Sequence, residues 1–510
     1  MTNHKPNGKK QIILKIFTIL FSLLSIYLFP QGLYEDKITP FDGEKNDQFG
    51  RYVAVNDSFL ITSSFAHNDY SGVVYIYKKS GNGWIFFKEL INSDNAPQDH
   101  FAQIHLFRNY LFVGASSKNI GVTRGVGAVY IFEYEDNDWI EKQKIVPDTL
   151  QWNLNFGFKT FAFGDYLLIS ADGYYGIGEY SGKAYLYKKY NNQYQLYQEF
   201  LPEDGNTQAL FSDALLEDGN TIYIGSPRNT NASGEWAGAV YVYEKGDSLW
   251  TESYKLLPDS GSDYSFFGGV IRASENYIAI SAMTDINGSG EGKVYIYKKE
   301  KQGLKKIQVI KAGQPGSYKN YFGYSIAMNE DSLFVSALGD TINMASVGAV
   351  YFYKNYSDNW MEEYKLRPAN FGTYGNFGSG VVFKNNQLIV GTPGAINNND
   401  VWTGAVYLFS SEPLNVKEKE ITVSDFTVNQ NYPNPFNSST MIKYSVAHSG
   451  TVKIKIYNIL GKEIKSLVNK YNQAGTYEVQ FNSEGLPSGV YFYRIRCGAY
   501  SKTKKMILLR

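Results

Sequence analysis

Oxygen-bearing side chains stand at every second position in Asp285, Asn287, Ser289 and Glu291, and again in Asn229, Asn231, Ser233 and Glu235. Such alternation lets a loop turn its oxygens onto a hard cation, which takes about six to eight of them. Asn, Ser and Gly are also the ordinary residues of tight loops. The expectation is therefore no metal, with Asp285, Asn287, Ser289 and Glu291 the first place to look for one. The five histidines (His4, His67, His100, His105 and His448) are scattered. His100 and His105 share a stretch with Asp99, but no H-E-x-x-H or Cys/His spacing accompanies them. There is no G-x-S-x-G elbow and no glycine-rich phosphate loop ending in Lys-Ser or Lys-Thr. Carboxylates brought together only by folding stay invisible at this level. The chain reads as a binder and not an enzyme, with no catalytic residue and no cofactor.

Aromatic residues in polar connections offer a different chemistry. Tyr70, Tyr175, Trp236 and Trp402 stand in one kind of connection, and Trp152, Tyr264, Tyr318 and Tyr374 in another. A flat ring stacks on a sugar or a protein partner while nearby Asn, Asp and Ser orient it. Each ring has the alternative of packing beneath its own loop.

The elements that would carry these residues are repeats. A Phe, usually followed by Gly, recurs at Phe49, Phe101, Phe156, Phe211, Phe267, Phe322 and Phe377. A Tyr-rich run keeps step with it, its first Tyr at 75, 130, 185, 241, 295, 351 and 407, each preceded by Gly72, Gly127, Gly182, Gly238, Gly292, Gly348 or Gly404. Each unit parses into four short strands with turn residues between them and no helical pattern. The fold class is all-β: a seven-bladed β-propeller over residues 33–410. The seventh unit lacks a fourth strand, whereas "LYEDKITP" at 33–40 is a fourth strand without a blade. The N-terminal strand is therefore expected to close blade seven, hiding sheet edges that would invite aggregation. The 2–3 and blade-to-blade connections then share one face, where recognition on a rigid scaffold is usually found.

Composition narrows the partners. Lys plus Arg and Asp plus Glu are both 49, which argues against a nucleic-acid surface. The one cysteine excludes an intramolecular disulfide framework. Lysines 5, 9, 10 and 15 precede the charge-free "IFTILFSLLSIYLF" at 16–29, so residues 1–32 read as an export signal peptide. An uncleaved membrane anchor is the alternative.

The repeat resembles the FG-GAP repeats of integrin α propellers and bacterial surface proteins. It shows "FG" at Phe49-Gly50, Phe156-Gly157, Phe267-Gly268, Phe322-Gly323 and Phe377-Gly378, with "GSP" at Gly225 and "GTP" at Gly391. That resemblance implies a fold more than a function. The family's calcium loops are not carried over, because the 1–2 connections here are mostly two-residue turns.

Residues 411–425 read as a polar linker. Residues 426–510 alternate as strands and form an expected small C-terminal β-sandwich. They resemble the C-terminal sorting domain of type IX (Por) secretion cargo from Bacteroidota, through Pro433, Asn434, Pro435, Phe436, Gly489, Tyr491, Lys504 and Lys505. The resemblance implies a secreted or outer-membrane surface protein of a Gram-negative bacterium. Its partners would be the type IX machinery and its sortase-like peptidase, with release or attachment to surface lipopolysaccharide. The function expected is adhesion or capture of an extracellular glycan or protein. The alternatives are a polysaccharide-active propeller enzyme and a structural envelope component.

Overall fold

A computed structural model describes residues 33–176, 178–259, 263–283, 292–312, 320–342, 345–368, 375–397, 401–411, 427–446, 450–459, 461–472, 475–497 and 500–509. The export-signal reading, the 412–425 part of the linker, Tyr318, Tyr374, and Asp285, Asn287, Ser289 and Glu291 lie outside these residues. The chain divides into two compact units, Met1–Glu418 and Lys419–Arg510.

Seven four-stranded antiparallel sheets make up the first unit, and their innermost strands touch one another in a closed cycle. This is a β-propeller. The first blade runs Phe49–Val55, Phe59–Ser64, Val73–Ser80, Gly83–Leu90 from the axis outward. The next five repeat that order. In the seventh, Gly380–Lys384, Gln387–Thr392 and Ala405–Ser410 are completed by Tyr34–Ile38. Tyr34 pairs with Ser410 and Ile38 with Val406, so the expected closure by the N-terminal strand is present.

The two sequence markers keep step because they touch. In every blade the marker Phe meets the first Tyr of the third strand edge-to-face, at centroid distances of 5.1–5.7 Å. Such a pair adds about 0.5–1.5 kcal/mol beyond burial. The marker glycine serves the next junction. A side-chain carbon on any of the seven would lie 2.1–2.5 Å from the carbonyl oxygen of the following blade's Phe. At six of the junctions the amide of that Phe donates to the residue before the glycine at 2.9–3.1 Å, from Phe49 on Thr403 and Phe101 on Ser71 to Phe377 on Val347, whereas the Phe322 amide donates to Asn320 Oδ1 at 3.1 Å.

Side-chain amides add clamps farther out. Gln143, Gln198 and Gln308 each donate to the backbone carbonyl and accept from the amide of Tyr194, Trp250 and Trp360 on the next blade, at 2.6–3.0 Å. The 1–2 turns are two or three residues long, as at Asn385-Asn386, where both residues have positive φ.

The second unit has a three-stranded sheet (Thr427–Val428, Ser439–Val446, Gly475–Asn482) and a four-stranded one (Glu463–Asn472, Gly450–Asn458, Gly489–Cys497, Tyr500–Leu508). They enclose Ile442, Tyr444, Ile454, Phe481, Tyr493 and Ile495.

Deleting residues 33–40 removes the pairing of Tyr34–Ile38 and the fully buried Ile38. Thermal unfolding should then show a loss of several kcal/mol, on the order of one strand's buried apolar area; an unchanged melting curve would contradict the closure. Gly127→Ala, with φ +91° and the Phe156 oxygen 2.1 Å from the new carbon, should cost about 3 kcal/mol or more. Gly164→Ala, at φ +50° with nothing within 4 Å, should cost about 1 kcal/mol. Equal denaturant midpoints for the two would remove the energetic role of the blade junction.

Candidate functional site

At the end of the propeller where the 2–3 and blade-to-blade connections meet, the two sets bond to each other. The Gln98 and His100 amides donate to Asp69 and Tyr70, that of Asn153 to Arg124, and those of Tyr264 and Phe266 to Glu235 and Trp236. The residue before each marker Phe is held in the left-handed region at all seven junctions: Gln48, His100, Asn155, Leu210, Phe266, Tyr321 and Asn376 have φ of 50–59°. That conformation costs an L-residue about 1–2 kcal/mol. It turns the backbone so that the Phe amide reaches the preceding blade.

A cleft of about 440 Å³ opens here across blades six, seven and one, where the ends of the propeller chain meet. Its aromatic walls are Trp402 (46% exposed), Tyr70 (42%) and Tyr324. Asn46, Gln48, Asn376 and Ser379 supply amides and a hydroxyl, and Arg51 the only formal charge among the lining residues. Arg51 donates to Gln48 Oε1 at 2.8 Å, and its guanidinium lies 4.7 Å from the centre of the Phe65 ring. His100 packs near Phe65 at 4.3 Å and shares a 2.7 Å hydrogen bond with Ser117. Burial, then the charge of Arg51, depresses the His100 imidazole below its ordinary value. His67 is the opposite case: its hydrogen bond to Asp47 at 3.0 Å raises it.

The aromatic residues singled out in the sequence gather junction by junction. Trp402 lines the cleft. Trp236 and Tyr264 meet edge-to-face at 5.7 Å beside Arg228, and the Tyr264 hydroxyl donates to Glu235. Tyr175 donates to Glu179 and has its backbone amide held by Gln151, while Trp152 stands 64% exposed. Asn229, Asn231 and Ser233 spend their polar atoms on the loop and its surroundings: Asn231 donates to Asn229 and Gly238, and Ser233 to Pro258. Among the described residues no three His, Cys, Asp or Glu side chains are grouped to hold a metal.

The sequence reading missed Arg51, Tyr324 and Ser379. They stand two positions after a marker Phe, where the seven blades carry Arg51, Gln103, Phe158, Asp213, Gly269, Tyr324 and Ser379, all different. Each follows a marker Phe and a small residue (Gly, Ala102 or Ser212), so the repeat fixes the position while its side chain varies.

The fold also buries two carboxyls, Asp172 and Asp213, within electrostatic reach of each other. Asp172 is 8% exposed, one of its oxygens has no hydrogen-bond partner, and burial followed by repulsion from Asp213 pushes it up to about 7. Burial raises Asp213 as well. Neither lines the cleft.

In the C-terminal unit the Pro433–Phe436 stretch is pinned to the last strand. The Ile507 amide donates to Asn434 Oδ1 at 2.8 Å, and the Phe436 amide to Ile507 at 2.9 Å. Tyr491 is buried and donates to Pro487 at 2.9 Å, Gly489 pairs with Leu508, Lys504 is half-buried and Lys505 exposed. Pro433 and Pro435 follow cis peptide bonds and are exposed.

Comparison with known proteins agrees with both architectures. Residues 430–509 match the secretion system C-terminal sorting domain, and residues 34–77 and 250–297 match the FG-GAP repeat. Chicken integrin alpha-6 is 32% identical over 187 residues, which cover 32% of this chain and 17% of that protein. The chain thus spans less than a fifth of the integrins it matches. Among solved structures, PorZ of Porphyromonas gingivalis, described as a surface component of the type-IX secretion system, aligns at 13% identity and TM-score 0.36, covering 86% of this chain and 64% of PorZ. The periplasmic gluconolactonase of Pseudomonas aeruginosa aligns at 11% and 0.41, covering 88% and 99%. The chain carries FG-GAP repeats and a secretion sorting domain, the mark of a secreted or cell-surface protein.

The Asp172 carboxyl fixes a pH dependence. Its folded value of about 7 lies above the ordinary 3.8, so between these pH values the folded chain keeps a proton that the unfolded chain has released. Stability therefore falls as pH rises through this window. Asp172→Asn should melt higher than the parent at pH 8, by on the order of a few kcal/mol, and lose that gain at pH 4. An equal gain at both pH values would assign it to packing.

Proposed function

We propose that the propeller binds an extracellular glycan at its mouth cleft and that residues 426–510 are a removable export address. The carrying observation is the cleft itself: three aromatic walls with amide and hydroxyl groups between them, in a volume of about 440 Å³. Ring faces match the apolar faces of sugars, and fixed amides select hydroxyl orientation. The volume is of the size that small-molecule sites occupy. Binding is favoured over catalysis because the raised carboxyls of Asp172 and Asp213 stand apart from this cleft.

In this reading the leader at 1–32 delivers the chain to the periplasm, and Pro433–Phe436, Gly489, Tyr491, Lys504 and Lys505 present the address to the type IX machinery. A sortase-like peptidase then frees the propeller into the medium or onto the cell surface. Trp236, Tyr264, Trp152 and Tyr175 serve as outlying contacts for a longer ligand.

Affinity electrophoresis of the secreted chain against a panel of polysaccharides tests the assignment. Trp402→Ala should weaken retention by about tenfold or more, the scale of a buried aromatic anchor. Retention unchanged by Trp402→Ala would move the ligand off the cleft. No retention by any glycan would favour a protein partner.

A further inference from the structure

Several charged side chains in the strands and connections of this propeller are matched. Lys144 binds Asp94 at 2.8 Å, Lys118 binds Asp99 at 2.7 Å, Asp340 receives both Lys365 and Arg367, and Lys255 meets Asp204. Arg51 departs from this pattern. Among the described residues it forms no ion pair, and no carboxylate lines the cleft it faces. The acid nearest in sequence, Asp47, is already committed to His67 and to the Glu44 amide at 2.7 Å.

The arrangement around Arg51 is nonetheless built. Its guanidinium lies beside Phe65, with His100 packed near the same ring. Gln48 holds one N–H at 2.8 Å, and the Tyr52 hydroxyl sits 3.4 Å from Nε. A guanidinium has five N–H donors in a planar fork. The others remain for whatever enters between Trp402, Tyr70 and Tyr324. A half-buried cation without a counter-charge is costly, and an anion arriving with the ligand offsets that cost through charge-assisted hydrogen bonds.

We propose that the glycan recognised here is acidic, with the carboxylate of a uronate-type sugar received by Arg51 while its ring stacks against the aromatic walls. This rests on the glycan reading above. The two oxygens of a carboxylate accept two parallel N–H bonds from such a fork, and a sulfated sugar is the competing occupant that the test separates.

Calorimetric titration of the secreted chain with polygalacturonate and alginate fragments, a sulfated glycan, and neutral glucan and xylan fragments separates the cases. The polyuronates should bind tightest, and binding should weaken with added salt. Arg51→Gln should weaken polyuronate binding by about tenfold or more, and should weaken it more than it weakens neutral-glycan binding. Arg51→Lys should restore it only in part. The parent's own preference for polyuronate over neutral glycan needs no variant to fold. Equal affinity for neutral and acidic glycans, abolished by Trp402→Ala but indifferent to Arg51, would overturn this inference and leave the glycan reading standing. Tightest binding to the sulfated glycan would overturn the carboxylate assignment. Binding to none would overturn both.

Discussion

The contact on which everything else depends is the junction of two backbones, a glycine of one blade against the phenylalanine of the next. The Phe carbonyl sits where a side chain on that glycine would be, and at six junctions the Phe amide bonds the residue before it. No side chain fits between them. Seven sheets can therefore approach closely enough for their inner strands to touch around the axis. The Phe ring, placed by this junction, then becomes the floor on which the buried Tyr of the third strand packs edge-to-face. One short motif thus organises packing within a blade and between blades.

That constraint explains where variation is allowed. The left-handed residue before the Phe and the glycine opposite are set by the junction, and the Tyr by the core. The residue two places beyond the Phe is set by neither, and it differs in all seven blades. At the seam of blades six, seven and one these free positions supply Tyr324, Ser379 and Arg51 to a single cleft. The proposed function would place recognition chemistry where the scaffold leaves a choice, in keeping with propellers as general platforms.

The same economy governs the polar groups. Tyr75, Tyr241 and Tyr351 are buried to the hydroxyl, and each donates to an aspartate, Asp42, Asp204 or Asp340. For Asp204 and Asp340 a lysine from the fourth strand completes the group. Burial alone would make such charges unfavourable, and pairing makes them tolerable. Among the described residues Asp172, with an unpartnered oxygen, and Arg51, without a counter-ion, depart from this rule for different reasons: Asp172 is closed away within the protein, while Arg51 opens onto the cleft.

Much of the architecture was legible in the chain alone. Two markers kept in step seven times announced the propeller, and the orphan strand at 33–40 announced its closure, because repeats are local patterns whose period survives without any knowledge of contacts. The sorting domain over residues 430–509 was legible as well, because its motifs are also local patterns. The cleft was not. Trp402 was named from its loop, but Arg51 lies 273 residues before Tyr324 and 328 before Ser379, and they share a site only when the ring closes. Asp172 and Asp213 likewise come within electrostatic reach only across a blade boundary. Sequence by itself determined the repeat, its strands and its closing strand, since those rest on spacing along one chain. Tertiary structure decided which free positions share a cleft and which charges lack a partner, since both depend on distances that closing the ring alone creates.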